Sequence, residues 1–95
     1  MGAVTQQAGA STPIITAGTT QIYTGTGVIL GFFVSSGTSV TVTIYDNTTT
    51  TGNPILATFT APNNGWFAFP SGFGTGLRVI VGGTTPFVTF VWAVN

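Results

Sequence analysis

The sequence has almost no ionisable side chains. Its 95 residues contain no cysteine and no histidine, and charged residues make up 2% of the chain, against about 25% in ordinary globular domains. The single acidic residue is Asp46 and the single basic residue is Arg78. Without cysteine the chain has neither a disulfide framework nor a thiolate metal site. Its stability therefore depends on packing within the chain or between chains.

This scarcity of charge excludes several classes of function. Nucleic-acid binding takes several lysine or arginine side chains to neutralise phosphates, and one arginine does not supply them. General acid–base catalysis normally uses a second titratable group, and no histidine, lysine, glutamate or cysteine accompanies Asp46. A metal site needs several carboxylates or imidazoles. We therefore expect no enzymatic activity, no metal or other cofactor, and no nucleic-acid partner.

Long hydrophobic runs are also missing. The longest, at 28–34 and 87–94, contain seven and eight residues, whereas a membrane-spanning helix needs roughly 20. The N-terminal sequence has no basic segment followed by an apolar one, which a secretory signal peptide would have. We expect no membrane insertion and no export by a signal peptide.

Short apolar runs alternate with glycine-rich turn signals from Pro13 onward, and no window has helical periodicity. This pattern predicts one all-β domain at 13–95, an antiparallel β-sandwich or jelly roll of seven or eight short strands. Residues 1–12 are small and polar and are interpreted as a flexible N-terminal arm. The candidate strands are 14–16, 21–23, 28–35, 39–45, 55–60, 66–69, 77–81 and 87–94.

Turn and charge patterns lead to three local assignments. Asn64-Gly65 is a strong signal for a two-residue hairpin, which would join strand 55–60 to strand 66–69. Asp46 ends a strand, and we interpret its carboxylate as accepting hydrogen bonds from the backbone amides of the turn that follows. Arg78 is open to three roles: an ion pair with Asp46, contact with the carbonyl groups of a neighbouring subunit, or a solvated side chain.

Alternation along the strands assigns side chains to faces. In two strands the predicted buried face is clear: Val40, Val42 and Ile44 in the first, and Leu77, Val79 and Val81 in the second. Strands 28–34 and 87–94 are instead apolar on both faces. A small sandwich covers one face of a strand, so a partner chain is expected to cover the other. The candidate interface residues are Phe87, Thr89, Val91, Ala93, Ile29, Phe33 and Arg78.

The order of strand and loop segments between about residue 21 and residue 94 carries a family resemblance. The matching segments are "TGTGVILGFFVSSGTSVTVTIYD", "NPILATFTAP" and "FGTGLRVIVGGTTPFVTFVW". They resemble small β-rich virion structural proteins of tailed bacteriophages, such as head-decoration (cement) proteins. The resemblance implies a β-sandwich located in the virion. Its expected partners are copies of itself, with a trimer favoured, and the major capsid protein or other virion proteins.

Within that resemblance the residues leave two functions open. In the first, the protein is a structural subunit whose neutral surfaces and N-terminal arm hold neighbouring capsid proteins together. In the second, it is a receptor- or glycan-binding module of a fibre or head appendage, with Trp66 or Tyr23 as the exposed aromatic residue that contacts the ligand.

Overall fold

The computed structural model describes residues 9–94, and every regular element in that range is a β-strand. The six strands are β1 (Gly9–Ile14), β2 (Gly18–Thr24), β3 (Gly27–Asp46), β4 (Leu56–Thr60), β5 (Gly65–Phe73) and β6 (Gly76–Val94). All of them pair antiparallel within one hydrogen-bonded sheet. The prediction of an all-β, antiparallel protein is confirmed. Residues 9–94 include no helix able to span a membrane.

Two long strands, β3 and β6, form the centre of the sheet. They contain 20 and 19 residues and pair along their whole length, from Gly27 opposite Val94 to Asp46 opposite Leu77. The sequence predicted two separate strands in each of these segments, and this is wrong. The Gly-, Ser- and Thr-rich stretches that look like turns are register shifts inside one continuous ladder. The described chain therefore has six strands, not seven or eight.

The four shorter strands divide the β3–β6 ribbon into two halves. β1 and β5 pair with one end of the ribbon in the order β1–β6–β3–β5, which we call the β1–β5 half. β2 and β4 pair with the other end in the order β2–β6–β3–β4, which we call the β2–β4 half. Each half is therefore a four-stranded unit with β3 and β6 in the middle.

Aromatic rings connect the two halves. The ring centroid of Phe59 in β4 lies 6.0 Å from that of Phe32 in β3 and 5.2 Å from that of Phe67 in β5. At the other edge of the ribbon, beside β6, the ring centroid of Tyr23 in β2 lies 5.1 Å from that of Trp92. Both halves contribute to one buried cluster, made of Ile14, Ile29, Phe32, Val34, Val40, Val42, Ile44, Phe73, Leu77, Val79, Val81, Val88 and Phe90.

The two strictly alternating segments are buried as predicted. The six residues assigned to their buried face are all at most 2% exposed: Val40, Val42, Ile44, Leu77, Val79 and Val81. Thr43, on the opposite side of β3, is also buried. Its hydroxyl lies 2.9 Å from the hydroxyl of Thr58 in β4, so this buried polar group has a hydrogen-bond partner.

Two local predictions are wrong. Residues 9–12, assigned to the N-terminal arm, lie in β1 and pair with β6, and Trp92 Nε1 donates a hydrogen bond of 3.0 Å to Thr12 Oγ1. The rest of the predicted arm, residues 1–8, lies outside the described residues. Asn64-Gly65 does not close a hairpin, because β4 and β5 both pair with β3, each in a different half. The segment between them crosses from one half to the other.

The backbone is crowded where the ribbon passes from one half to the other. Gly83 has a φ of +113°, and a Cβ added there would lie 2.8 Å from the carbonyl oxygens of Thr38 and Ser39. Ser39 and Thr85 have positive φ angles of 53° and 45°, a conformation that costs a residue with a side chain about 1–2 kcal/mol. This crossing point therefore depends on glycine and carries backbone strain.

Substituting Gly83 tests this dependence. We expect Gly83→Ala to lower the free energy of unfolding by about 3 kcal/mol, because it combines an unfavourable φ with a clash against backbone. The control is Gly52→Ala, which has a φ of +77° but no atom within 4 Å of the added Cβ, so a loss of about 1 kcal/mol is expected. Urea denaturation measures both, and equal losses would contradict the proposed crowding.

Candidate functional site

The β1–β5 half carries exposed apolar side chains on the face turned away from the core. Four residues are direct neighbours across β5, β3, β6 and β1, in that order: Trp66, Phe33, Thr89 and Pro13. Trp66 is 48% exposed and Phe33 is 44% exposed. Phe87 is 45% exposed, and alternation along β6 places it on the same side as Thr89. We define the outer aromatic face as Phe33, Trp66, Phe87, Thr89 and Val91.

A glycine in β3 makes room for the indole of Trp66 on this face. A Cβ added at Gly31 would lie 2.7 Å from two carbons of the indole ring. The indole therefore packs across the neighbouring strand, over the position where a side chain of residue 31 would stand. Trp66 thus has a fixed support within the sheet while about half of its surface stays accessible.

Four of the seven candidate interface residues lie together on the outer aromatic face: Phe33, Phe87, Thr89 and Val91. Ile29 is 0% exposed, because a register shift between Ile29 and Gly31 reverses which side of β3 faces the core. The extra residue at this shift, Leu30, is 43% exposed. Ala93 keeps the outward register, but the residue lies between β1 and β3 and is only 9% exposed. The assignments of Ile29 and Ala93 to a partner surface are therefore wrong.

The carboxylate of Asp46 is bound by backbone amides at the start of β6. Its two oxygens accept hydrogen bonds from the amides of Gly74, Thr75 and Gly76 at 2.8–3.2 Å. Partial burial raises the pKa of the Asp46 carboxyl, but the bonds from these amides outweigh it and hold the pKa below its ordinary value. The prediction of turn chemistry is right in kind, but the turn is the one before β6 and not the one after Asp46.

Arg78 is bound to neutral groups, and the hypothesis that it pairs with Asp46 is wrong. Its Nε donates to Thr50 Oγ1 at 2.7 Å, and Nη1 donates to Gln21 Oε1 at 3.0 Å and to the Thr48 carbonyl at 3.3 Å. Arg78 thus ties the threonine-rich loop after β3 to strands β2 and β6. It lies in the β2–β4 half, away from the other predicted interface residues. Within residues 9–94, no three His, Cys, Asp or Glu side chains come together as metal ligands.

An aromatic cleft lies between β4 and β5. Its volume is about 310 Å³, and its lining consists of Phe32, Leu56, Phe59, Trp66, Phe67, Ala68 and Phe69. Of these residues the sequence indicated only Trp66 as a possible ligand contact, and it did not reveal the cleft. The expected hairpin would have closed the space between β4 and β5, and the cleft exists because each strand pairs with β3 instead. Tyr23, the other residue named as a possible ligand contact, packs against the rings of Trp92 and Phe73.

The hydrogen bonds of Asp46 predict an acid-dependent stability. Because the pKa in the folded state lies below the ordinary value of 3.8, the stabilisation is complete above about pH 4 and is lost as the pH falls through the folded-state pKa. We expect Asp46→Asn to abolish this dependence. At neutral pH it should lower the free energy of unfolding by about 1 kcal/mol, below the range of about 1.5–3 kcal/mol for hydrogen bonds to charged groups, since the group is largely solvated.

Urea denaturation at a series of pH values measures this effect. Asn53→Ala, a substitution of an exposed loop residue, is the control and should keep the acid dependence of the unchanged protein. An Asp46→Asn protein that still loses stability in acid as steeply as the control would contradict the role given to this carboxylate.

Comparison with known proteins identifies no relative that assigns a function to this chain. No family model matches it, and no curated protein or solved structure matches it significantly. The resemblance to virion structural proteins therefore has no support from these comparisons. The functional argument rests on the outer aromatic face, the cleft and the placement of the two charges.

Proposed function

We propose that this chain is a non-enzymatic structural subunit that associates with other proteins through its outer aromatic face. The observation that carries the proposal is the set of three aromatic side chains, Phe33, Trp66 and Phe87, each 44–48% exposed on one side of the β1–β5 half. Aromatic residues are enriched and charged residues depleted in the buried centre of protein–protein interfaces. Contiguous apolar patches on a protein surface commonly mark such interaction sites.

The placement of the two charges supports this function. Asp46 and Arg78 both lie in the β2–β4 half and are hydrogen-bonded within the chain. A partner that covers the outer aromatic face therefore buries neither ion and avoids a desolvation cost of several kcal/mol for each. Association would depend on apolar burial, with little electrostatic steering and a weak dependence on salt.

We further infer that the two halves form the layers of a β-sandwich. The ring contacts of Phe59 with Phe32 and Phe67, and the buried cluster to which both halves contribute, support this arrangement. The inner faces of sandwich layers interdigitate in this way. In a sandwich of two layers the outer aromatic face has no cover from the chain itself, so its cover comes from a partner.

The specific assembly that we propose is a bacteriophage virion, in which the protein is a capsid decoration protein. The resemblance of segments 21–94 to small virion proteins motivates this proposal, and the uncharged apolar face is consistent with repeated contacts in a lattice. The partners would be further copies of this chain, in a closed symmetric oligomer with a trimer favoured, and the major capsid protein or other virion proteins.

A receptor- or glycan-binding module is the second candidate function. The observation that favours it is Trp66, which is 48% exposed and also lines the aromatic cleft of about 310 Å³. This volume is at the lower end of ordinary small-molecule sites. An indole that is supported by the sheet and open on one side suits stacking against the apolar face of a sugar ring.

Phe33→Lys tests association through the outer aromatic face. We expect the unchanged protein to sediment as an oligomer and Phe33→Lys to shift it towards the monomer, because a charge placed among the aromatic residues would be buried without a partner. The control is Ile15→Lys, at the most exposed large hydrophobic residue described, 61%, which lies between β1 and β2. Analytical ultracentrifugation of both variants at several concentrations gives the result.

The sedimentation of the two variants decides whether the outer aromatic face mediates association. Dissociation by Phe33→Lys alone would support the face, provided that circular dichroism shows the same strand content in both variants. A monomeric unchanged protein, or equal dissociation by both variants, would contradict association through this face.

Trp66→Ala separates the two candidate functions. For a glycan-binding module, we expect the unchanged protein to bind members of an oligosaccharide array and the variant to lose most of that binding. Stacking on one aromatic side chain contributes about 1–3 kcal/mol per base in nucleic-acid complexes, and we expect a comparable loss for a stacked sugar ring. The matched control is Phe87→Ala, on the same face but outside the cleft lining, which should keep the binding. Absence of any bound oligosaccharide would contradict the second candidate.

A further inference from the structure

The loop before β5 contains an asparagine followed by glycine in an exposed setting. Asn64 is solvent-exposed and precedes Gly65, the first residue of β5. Gly65 has a φ of +142°, and no atom lies within 4 Å of a Cβ added there. We propose that Asn64 is a site of spontaneous deamidation, at which the protein converts an asparagine into aspartate and isoaspartate without an enzyme.

The reaction uses atoms that the local sequence already places side by side. The backbone nitrogen of Gly65 loses its proton to solvent and attacks Cγ of Asn64. A C–N bond forms, and the bond between Cγ and Nδ2 breaks as Nδ2 takes up a proton and leaves as ammonia. The resulting succinimide is opened by a water molecule at either of its two carbonyl groups, giving aspartate or isoaspartate. Water is the only co-reactant, and no electrons are transferred.

Glycine at position 65 removes the main obstacle to this ring closure. A side chain at the following residue hinders the approach of its backbone nitrogen, whereas glycine has none and tolerates a wide range of backbone conformations. The position that a Cβ of residue 65 would occupy is open, with no atom within 4 Å, and Gly65 pairs with Val34 at the end of the β5 ladder. Gly65 is thus the terminal residue of its strand, where the backbone has more room to turn its nitrogen towards Cγ of Asn64 than inside the ladder.

The other asparagines of the described chain are poorer substrates. Asn53 precedes Pro54, whose nitrogen carries no hydrogen and cannot become the nucleophile. Asn47 precedes the β-branched Thr48, and the Thr48 amide already donates to Asn47 Oδ1 at 2.7 Å. Asn63 is followed by a residue with a side chain, not by glycine. Asn64 alone among them combines exposure with a following glycine.

One side-chain hydrogen bond of Asn64 opposes the reaction, and it is long. Asn64 Nδ2 donates to the carbonyl oxygen of Ser35 at 3.3 Å, on the protein surface. This distance exceeds the usual range of 2.7–3.2 Å for N–H···O bonds, and solvent competes for both groups. The contact therefore does not hold the amide away from the Gly65 nitrogen.

Conversion would change this surface in two ways. The carboxylate replaces a donor that faces the Ser35 carbonyl by an acceptor, so the contact becomes repulsive. It also gives a chain with one acidic residue and a net charge of zero a second acidic group. The isoaspartate form lengthens the backbone by a methylene group just before the Gly65–Val34 and Trp66–Phe33 pairs that begin the β5 ladder.

Ageing the purified full-length protein in mildly alkaline buffer at physiological temperature tests the proposal. Peptide mass spectrometry locates each converted asparagine, an isoaspartyl methyltransferase assay quantifies isoaspartate, and isoelectric focusing detects the added negative charge. The rate benchmark is a synthetic peptide with the sequence of residues 60–69, aged in parallel. The variants are Asn64→Gln, whose longer side chain disfavours the ring, and Asn63→Gln as the matched control in the same loop.

We expect conversion at Asn64 in the unchanged protein and in Asn63→Gln within a few-fold of the peptide rate, with an acidic shift of the focused band. Asn64→Gln should show no acidic shift. The measurement on the unchanged protein stands alone if Asn64→Gln fails to fold. An Asn64 that stays intact while the peptide converts, or conversion of Asn47 or Asn53 at an equal rate, would overturn the proposal.

Discussion

The continuous antiparallel ladder between β3 and β6 supplies the edges on which the other four strands pair and also eleven of the thirteen residues of the buried cluster. Because the ribbon passes from one half to the other without a break, the buried residues of both halves come mainly from the same two strands. The crowded backbone at Gly83 and the positive φ angles of Ser39 and Thr85 are the local cost of this crossing. The same passage lets residues of both halves contribute to one buried cluster.

The two ends of the β3–β6 ribbon differ in the side chains that they place on the surface. Its end near Asp46 and Leu77 holds both charged side chains, and each of them stabilises a loop: Asp46 the turn before β6 and Arg78 the threonine-rich loop. Its other end carries the outer aromatic face and no ionised side chain among the residues described there. The two ions of the chain are thus used for internal structure, and the face proposed for association is left neutral.

The sequence predicted which side of a strand is buried where the other side is polar. It failed to do so where both sides are apolar. Val40, Val42 and Ile44 alternate with polar residues, so their buried face followed from the pattern alone. In the segment 28–34 both sides are apolar, so alternation does not reveal the extra residue at Leu30 that turns Ile29 inward. The local sequence also does not determine which strands a turn connects by pairing. Asn64-Gly65 shows where the chain changes direction, but the choice of pairing partner depends on the long ribbon, and so does the cleft between β4 and β5.

The pairing of β1 with β6 places the two ends of the described chain side by side. Gly9 is opposite Ala93, and the ladder runs from there to Ile14 opposite Val88. A mechanical load applied across these ends would act at the open end of an antiparallel pair, so its hydrogen bonds would rupture one after another and not all at once. Pulling apart the two ends of the described chain would therefore first peel β1 away from β6.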